Sequence, residues 1–132
     1  MSGQQGYMVT GTNTTDATAI TSATSIDLAY INLSYGVWLI IGHLGYTTAS
    51  SITITTKIHW ISSSSATLLN SNMVKTANSL SIGSGISFVD NMQRVVTVSN
   101  SSTTYYLSAQ ITFTGSINTR SANTNLYAVR IA

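Results

Sequence analysis

Two histidines, three aspartates and no cysteine are all that this chain of 132 residues offers to acid–base or metal chemistry beyond its hydroxyls and amides. General acid–base catalysis needs a carboxylate or an imidazole poised beside a partner. Asp16, Asp27 and Asp90 are far apart in sequence, and His43 and His59 lie in different segments. The chain has no glutamate, no phosphate-cradling glycine loop, no HExxH pair and no nucleophile elbow. A Ser–His–Asp triad is arithmetically available in any chain so rich in serine, so its availability carries no weight. The absence of cysteine excludes disulfides, thiolate chemistry and Cys-ligated zinc. The chain reads as non-enzymatic, with no cofactor and no metal site.

The remaining polar residues have structural readings. His43 shares the parity of Val37, Leu39 and Ile41, which fits a hydrogen-bonded histidine of a core or an interface. The sharper alternative is three copies of His43 ringing an ion on a three-fold axis, although metal sites usually want more than one type of ligand. His59 falls on the polar face of its segment and is expected in solvent. Arg130 shares a face with Leu126 and Ala128. If buried it needs a partner, for which Asp27, Asp90 and the terminal carboxylate of another subunit are candidates. Trp38 and Trp60 could serve as sugar platforms, but the alternating apolar face around Trp60 favours the core.

The elements that position these residues follow from composition. Charged residues make up 6% of the chain, against about 25% in an average soluble domain. Serine and threonine together reach about a third. Thr, Val, Ile and Tyr favour strands, and the helix formers Glu, Lys and Arg are absent or scarce. The net charge of +2 rests on few groups, scattered too thinly to track a phosphate backbone, so no nucleic-acid partner is expected. The longest apolar stretch, Val37 to Leu44, is far short of the ~20 residues of a membrane helix. No membrane insertion is expected. The segment MSGQQGYMVT lacks the basic start and apolar run of a secretory signal.

Period-two alternation dominates the pattern. In SITITTKIHWIS, Ile52, Ile54, Ile58 and Trp60 share one face, with Thr53, Thr55, Lys57 and His59 on the other. In TTYYLSAQITFTG, Tyr105, Leu107, Ala109, Ile111 and Phe113 oppose Tyr106, Ser108, Gln110, Thr112 and Thr114. Both read as strands with one solvated side. Ile54, Trp60, Leu107 and Ile111 are expected in the core, and Lys57, His59, Ser108, Gln110 and Thr112 in solvent. GVWLIIGHLGYTT and NLYAVRIA differ, because both of their faces are largely apolar. A second sheet covers one face, and a neighbouring subunit is the simplest cover for the other.

Further strands are expected at residues 6–10, 17–20, 26–33, 73–75 and 94–98, joined by turns rich in Ser, Asn and Gly. The predicted architecture is a single all-β domain over residues 1–132, with a lead-in at 1–25 and a core at 26–132. It is a two-sheet antiparallel sandwich or jelly roll of about eight to ten strands.

At this point the order of segments resembles a known family. DLAYINLSYGVWLIIGHLGYTT resembles the paired B and C strands of the C1q/TNF-like jelly roll, and VVTVSNSSTTYYLSAQITFTG resembles its F–G hairpin. The ending NLYAVRIA resembles the closing strand of many phage tail-fibre and tail-spike tips. The resemblance implies B at 26–33, C at 37–48, D at 52–61, E at 73–75, F at 94–98, G at 105–114 and H at 126–131. It implies an inner sheet containing C, F and H around a three-fold axis, and an outer sheet of B, G, D and E. Trp38, Ile40, His43, Tyr46, Tyr127 and Arg130 are the resulting trimer-interface candidates. No acidic cluster resembles the calcium sites of some C1q heads.

The resemblance also implies a function: the trimeric receptor-binding head of a viral or phage fibre, exposed on the virion and contacting a host-cell surface receptor. A capsid decoration or protrusion, and a secreted lectin or adhesin, are the alternatives. Because antiparallel strands reverse, the turn at Thr48 to Ser51, the stretch from Asn78 to Asn91 and the loop from Gly115 to Asn123 share one end. The resemblance implies that both termini sit at the base, which makes that end the apex. Asp90, Asn118, Arg120 and Asn123 are the receptor-binding candidates there.

Overall fold

Among the described residues, β-branched and aromatic side chains at period two build eleven strands, with one three-residue 3-10 helix between the last two. The computed structural model describes residues 6–67, 73–76 and 79–132. In chain order the strands are β1 (Met8–Thr10), β2 (Thr12–Asn13), β3 (Ile26–Leu33), β4 (Gly36–Thr48), β5 (Ile52–Ser62) and β6 (Met73–Thr76). They continue as β7 (Leu80–Ile82), β8 (Ser87–Val98), β9 (Thr103–Thr114), β10 (Ile117–Thr119) and β11 (Asn125–Arg130).

Two antiparallel sheets face each other. One runs β1-β11-β4, with β8 on the far edge of β4 and β10 continuing the β11 edge. The other runs β2-β3-β9-β5-β6, with β7 also on β5. This is a jelly roll, with the division into sheets that the family resemblance implied.

Between the sheets lies one core. β4 contributes Trp38, Ile40, Leu44 and Tyr46, each 0% exposed. β9 answers with Leu107, Ala109, Ile111 and Phe113, and β11 adds Leu126 and Ala128. Gly42 stands in the inward row of β4 because the sheets meet closely there. A Cβ on it would come within 2.6 Å of Leu107 Cδ1.

Three departures from the sequence reading concern extent. β8 begins at Ser87, so much of the supposed loop from Asn78 to Asn91 is strand, with β7 inside it as well; residues 77–78 lie outside the described residues. The charge of Asp90 and the polar Asn91 and Gln93 masked the alternation. Residues 17–20 yield only a bridge, Ala19 to Asn118. The supposed loop from Gly115 to Asn123 holds β10 and the 3-10 helix Ser121–Asn123.

A fourth departure concerns parity. β5 carries a bulge: its register against β9 shifts between Ile54 and Thr56. One inserted residue flips every side chain beyond it. Ile52 and Ile54 face the core, but past the bulge Lys57, His59 and Ile61 do so, opposite Ile111, Ala109 and Leu107. The expectation that Lys57 and His59 are solvated is therefore corrected. His59 is 4% exposed, and the Lys57 side chain 15%. Ser108, also expected in solvent, is buried, as is Trp60 beside it on the outer face. Ser108 donates to the Asp27 carboxylate, which also accepts from Ser65 Oγ and from the Ala66 amide at 2.8 Å. The chain leaving β5 thus folds back toward that face and is held there. Gln110 and Thr112 remain half-exposed.

Candidate functional surface

The outer side of the β1-β11-β4-β8 sheet is built from the residues that alternate with the core. Register places Met8, Val129, Leu39 and Val95 in one row across four strands. The adjoining row is Thr10, Tyr127, Ile41 and Gln93, and the next is Asn125, His43 and Asn91. Met8 is 59% exposed and Val95 57%; Leu39, Ile41, Tyr127 and Val129 are half-buried. None of the chain's Asp, Lys or Arg residues is in these rows. His43 stacks on Tyr127, with centroids 6.4 Å apart, and its Nδ1 hydrogen-bonds Asn91 Oδ1. A groove of about 360 Å³ runs beside the pair, lined by Met8, Thr10, His43, Asn125, Leu126 and Tyr127.

The interface candidates divide accordingly. His43 and Tyr127 are on this outer face. Trp38, Ile40 and Tyr46 are not: they are fully buried against the second sheet, and no subunit could reach them. Arg130 shares the inward parity of Ala128 near the end of β11, and its Nε donates to the Ala132 oxygen at 3.2 Å. Of its three candidate partners, Asp27 bonds Ser65, Ala66 and Ser108, and Asp90 pairs with Lys57. Met8, Leu39, Ile41, Val95 and Val129 lie on this face without being among the interface candidates. The shared parity of Val37, Leu39, Ile41 and His43 was the signal for them.

The second candidate region lies where β10 gives way to β11. Both pair with the same edge of β4, and the 3-10 helix between them arches over Gly45. The Arg120 amide donates to the Gly45 carbonyl at 2.9 Å, and the Gly45 amide to Thr124 Oγ1 at 3.0 Å. Arg120 is exposed and its Nη1 reaches Ser87 Oγ at 3.1 Å. Asp16 Oδ1 accepts from the Ser121 amide at 3.1 Å. That hydrogen bond, helped by the Arg120 charge, lowers the Asp16 pKa. Asn118 and Asn123 are half-buried at the same place. Three of the four receptor-binding candidates therefore come together. Asp90 does not join them: it lies in β8 and pairs with Lys57 between the sheets.

A third feature fastens the open side of the sandwich. Among the described residues, β8 is bonded only to β4 within its sheet. Its other edge is tied to β5 by Lys57 Nζ to Asp90 Oδ1 at 2.7 Å, His59 Nε2 to the Asn91 carbonyl at 3.3 Å, and Arg94 Nη1 to the Ile61 carbonyl at 2.5 Å. Lys57 also lies 5.7 Å over the Phe88 ring, which stacks on Tyr46. Inward-pointing charges of this kind blunt a sheet edge against stray pairing.

No family model matches the chain, and no curated protein matches it. Solved structures do. A chain in the structure of infectious bursal disease virus Gx strain is 17% identical over 95% of this chain, with a TM-score of 0.53. Eiger TNF from S. frugiperda is 9% identical over 98% of this chain and 94% of its own, also with a TM-score of 0.53. A chain of the infectious bursal disease virus VP2 subviral particle is 18% identical, with a TM-score of 0.50. This chain spans 31% and 32% of the lengths of those two viral chains. At such identities the likeness is one of fold: the chain is a two-sheet antiparallel jelly roll of the kind found in those viral and TNF chains.

Proposed function

We propose that this domain is a non-enzymatic, self-assembling head of a viral or phage fibre, which forms a homotrimer and contacts a host-cell receptor from the virion surface. One observation carries the reading: the outer face of the β1-β11-β4-β8 sheet is apolar along a full row and free of charge in the rows beside it. Depletion of charge is the compositional mark of an interface core. The jelly-roll likeness to viral and TNF chains supports it. Three copies packed through this face would leave the 3-10 helix region, with Asn118, Arg120 and Asn123, as the receptor-facing polar surface.

Light scattering on dilute protein tests assembly. A trimer is expected, with an obligate interface of about 2,000 Å² or more, and Leu39→Asp with Val129→Asp is expected to give a folded monomer. A wild-type monomer at micromolar concentration would sink the proposal. Cell attachment by the Asn118→Ala, Arg120→Ala, Asn123→Ala triple variant tests the receptor surface. Attachment unchanged in a folded trimer moves the receptor site elsewhere. The likeness to the bursal disease virus chains favours a second reading, a capsid decoration or protrusion. In that case the trimer persists and purified protein does not attach to host cells.

A further inference from the structure

We propose that His59 is an acid-sensitive latch in the seam that fastens β8 to β5, and that its protonation releases the free edge of β8. The latch stands on the geometry of the sandwich alone; its reach to the assembly face rests on the function proposed above.

His59 is 4% exposed and lies on the core side of β5 beyond the bulge. A carbonyl only accepts, so the 3.3 Å contact to Asn91 makes Nε2 the protonated nitrogen. Nδ1 is where a second proton must go. Three charged groups share the seam with it: Lys57 on its own strand, and Asp90 and Arg94 on β8. β4 presents Tyr46, fully buried, whose hydroxyl has no hydrogen-bond partner among the described residues. β9 presents Ala109 directly opposite, with Tyr105 further along its inward face. β6 presents Val74, while Lys75 pairs with Ile58 on the opposite face. The seam therefore holds two cations and one anion when the imidazole is neutral, and three cations against one when it is charged.

Burial lowers the His59 pKa below its ordinary 6.5, more than Asp90 and the Asn91 carbonyl raise it. In acid the closed seam resists a proton that an opened seam accepts, so acid favours opening. Asn91 carries the change further. Its carbonyl holds His59, and its side chain holds His43 on the outer face of the sheet. Both histidines of the chain thus meet on one residue of the edge strand.

Hydrogen exchange on the full chain tests the latch, at about pH 7.5 and about pH 5, corrected for intrinsic rates. Protection of β8 is expected to fall about tenfold more than that of β3 and β9 at the lower pH. His59→Gln keeps a donor for the Asn91 carbonyl and cannot take a proton, so its β8 protection is expected to match at both pH values. Unchanged wild-type protection would overturn the latch, and so would an equal loss in His59→Gln. If that variant does not fold, imidazole NMR titration of the wild type decides. His59 must titrate in step with the β8 amides, and titration without any β8 response overturns the proposal. Sedimentation of the same samples keeps the two readings apart. A chain monomeric at both pH values defeats the assembly reading and leaves the latch to its exchange data.

Discussion

Lys57 Nζ sits 2.7 Å from Asp90 Oδ1, with 15% of each side chain exposed. An ion pair so placed gains little over two well-packed apolar residues, but halving it strands a charge between the sheets. Asp90→Asn is expected to cost about 3 kcal/mol, the lower end for buried pairs because some water reaches this one. Lys57→Met with Asp90→Leu is expected to cost much less than the two single changes added together. Urea unfolding midpoints at constant slope measure both.

The bulge in β5 ranks two isoleucines. Ile61 lies in the core at 0% exposure, and Ile58 is half-buried on the outer face. Ile61→Ala is expected to cost about 2–5 kcal/mol, and Ile58→Ala about 1 kcal/mol. The opposite ranking in thermal melts would mean an unbulged strand.

Gly45 is held by its neighbours rather than by its own backbone. A Cβ there would meet Asn123 Cβ at 2.6 Å and the Arg120 carbonyl at 2.7 Å. Gly45→Ala is expected to cost about 1–3 kcal/mol, as overpacking does, and to displace the 3-10 helix. Chemical-shift changes confined to residues 118–126 and their β4 partners are the expected signature.

Acid is expected to destabilise the fold by two routes of the same sign. His59 has a lowered pKa when folded, so the unfolded chain binds more protons below 6.5 and stability falls with pH from there down. Asp16 has a pKa below its ordinary 3.8, so its contribution is present above that value and disappears as pH falls through the folded one. A series of urea midpoints from neutral to acid is expected to decline first near pH 6.5, and His59→Gln is expected to flatten that first decline.

The strands were legible because alternation is a backbone property that sequence displays directly, and their division into sheets was what the family resemblance implied. β3, β4, β9 and β11 lie where the pattern put them. Parity was harder. SITITTKIHWIS alternates well enough to hide a bulge, since a threonine can sit on either face. Only pairing with β9 reveals that Lys57 and His59 turn inward. β4 presented the converse problem. Both faces are apolar, so pattern alone could not tell which one the second sheet covers, and Trp38, Ile40 and Tyr46 were placed on the wrong one. The role of Asn91 is not legible in the sequence, because nothing there brings two histidines to a single asparagine.

The pairing order has a consequence for synthesis. β3 cannot complete its edge until β9 exists, and among the described residues β1 pairs with β11, more than a hundred residues further along. A nascent chain emerging from the ribosome would carry Leu28, Ile31, Trp38 and Ile40 uncovered until β9 and β11 had been made. Folding dominated by such distant pairings is slow and exposed to aggregation. The scarcity of charge that suits the outer sheet face gives the unfinished chain little to repel its neighbours with. The vulnerable species is therefore the incomplete polypeptide, and production should respond more to translation rate and temperature than to the stability of the finished domain.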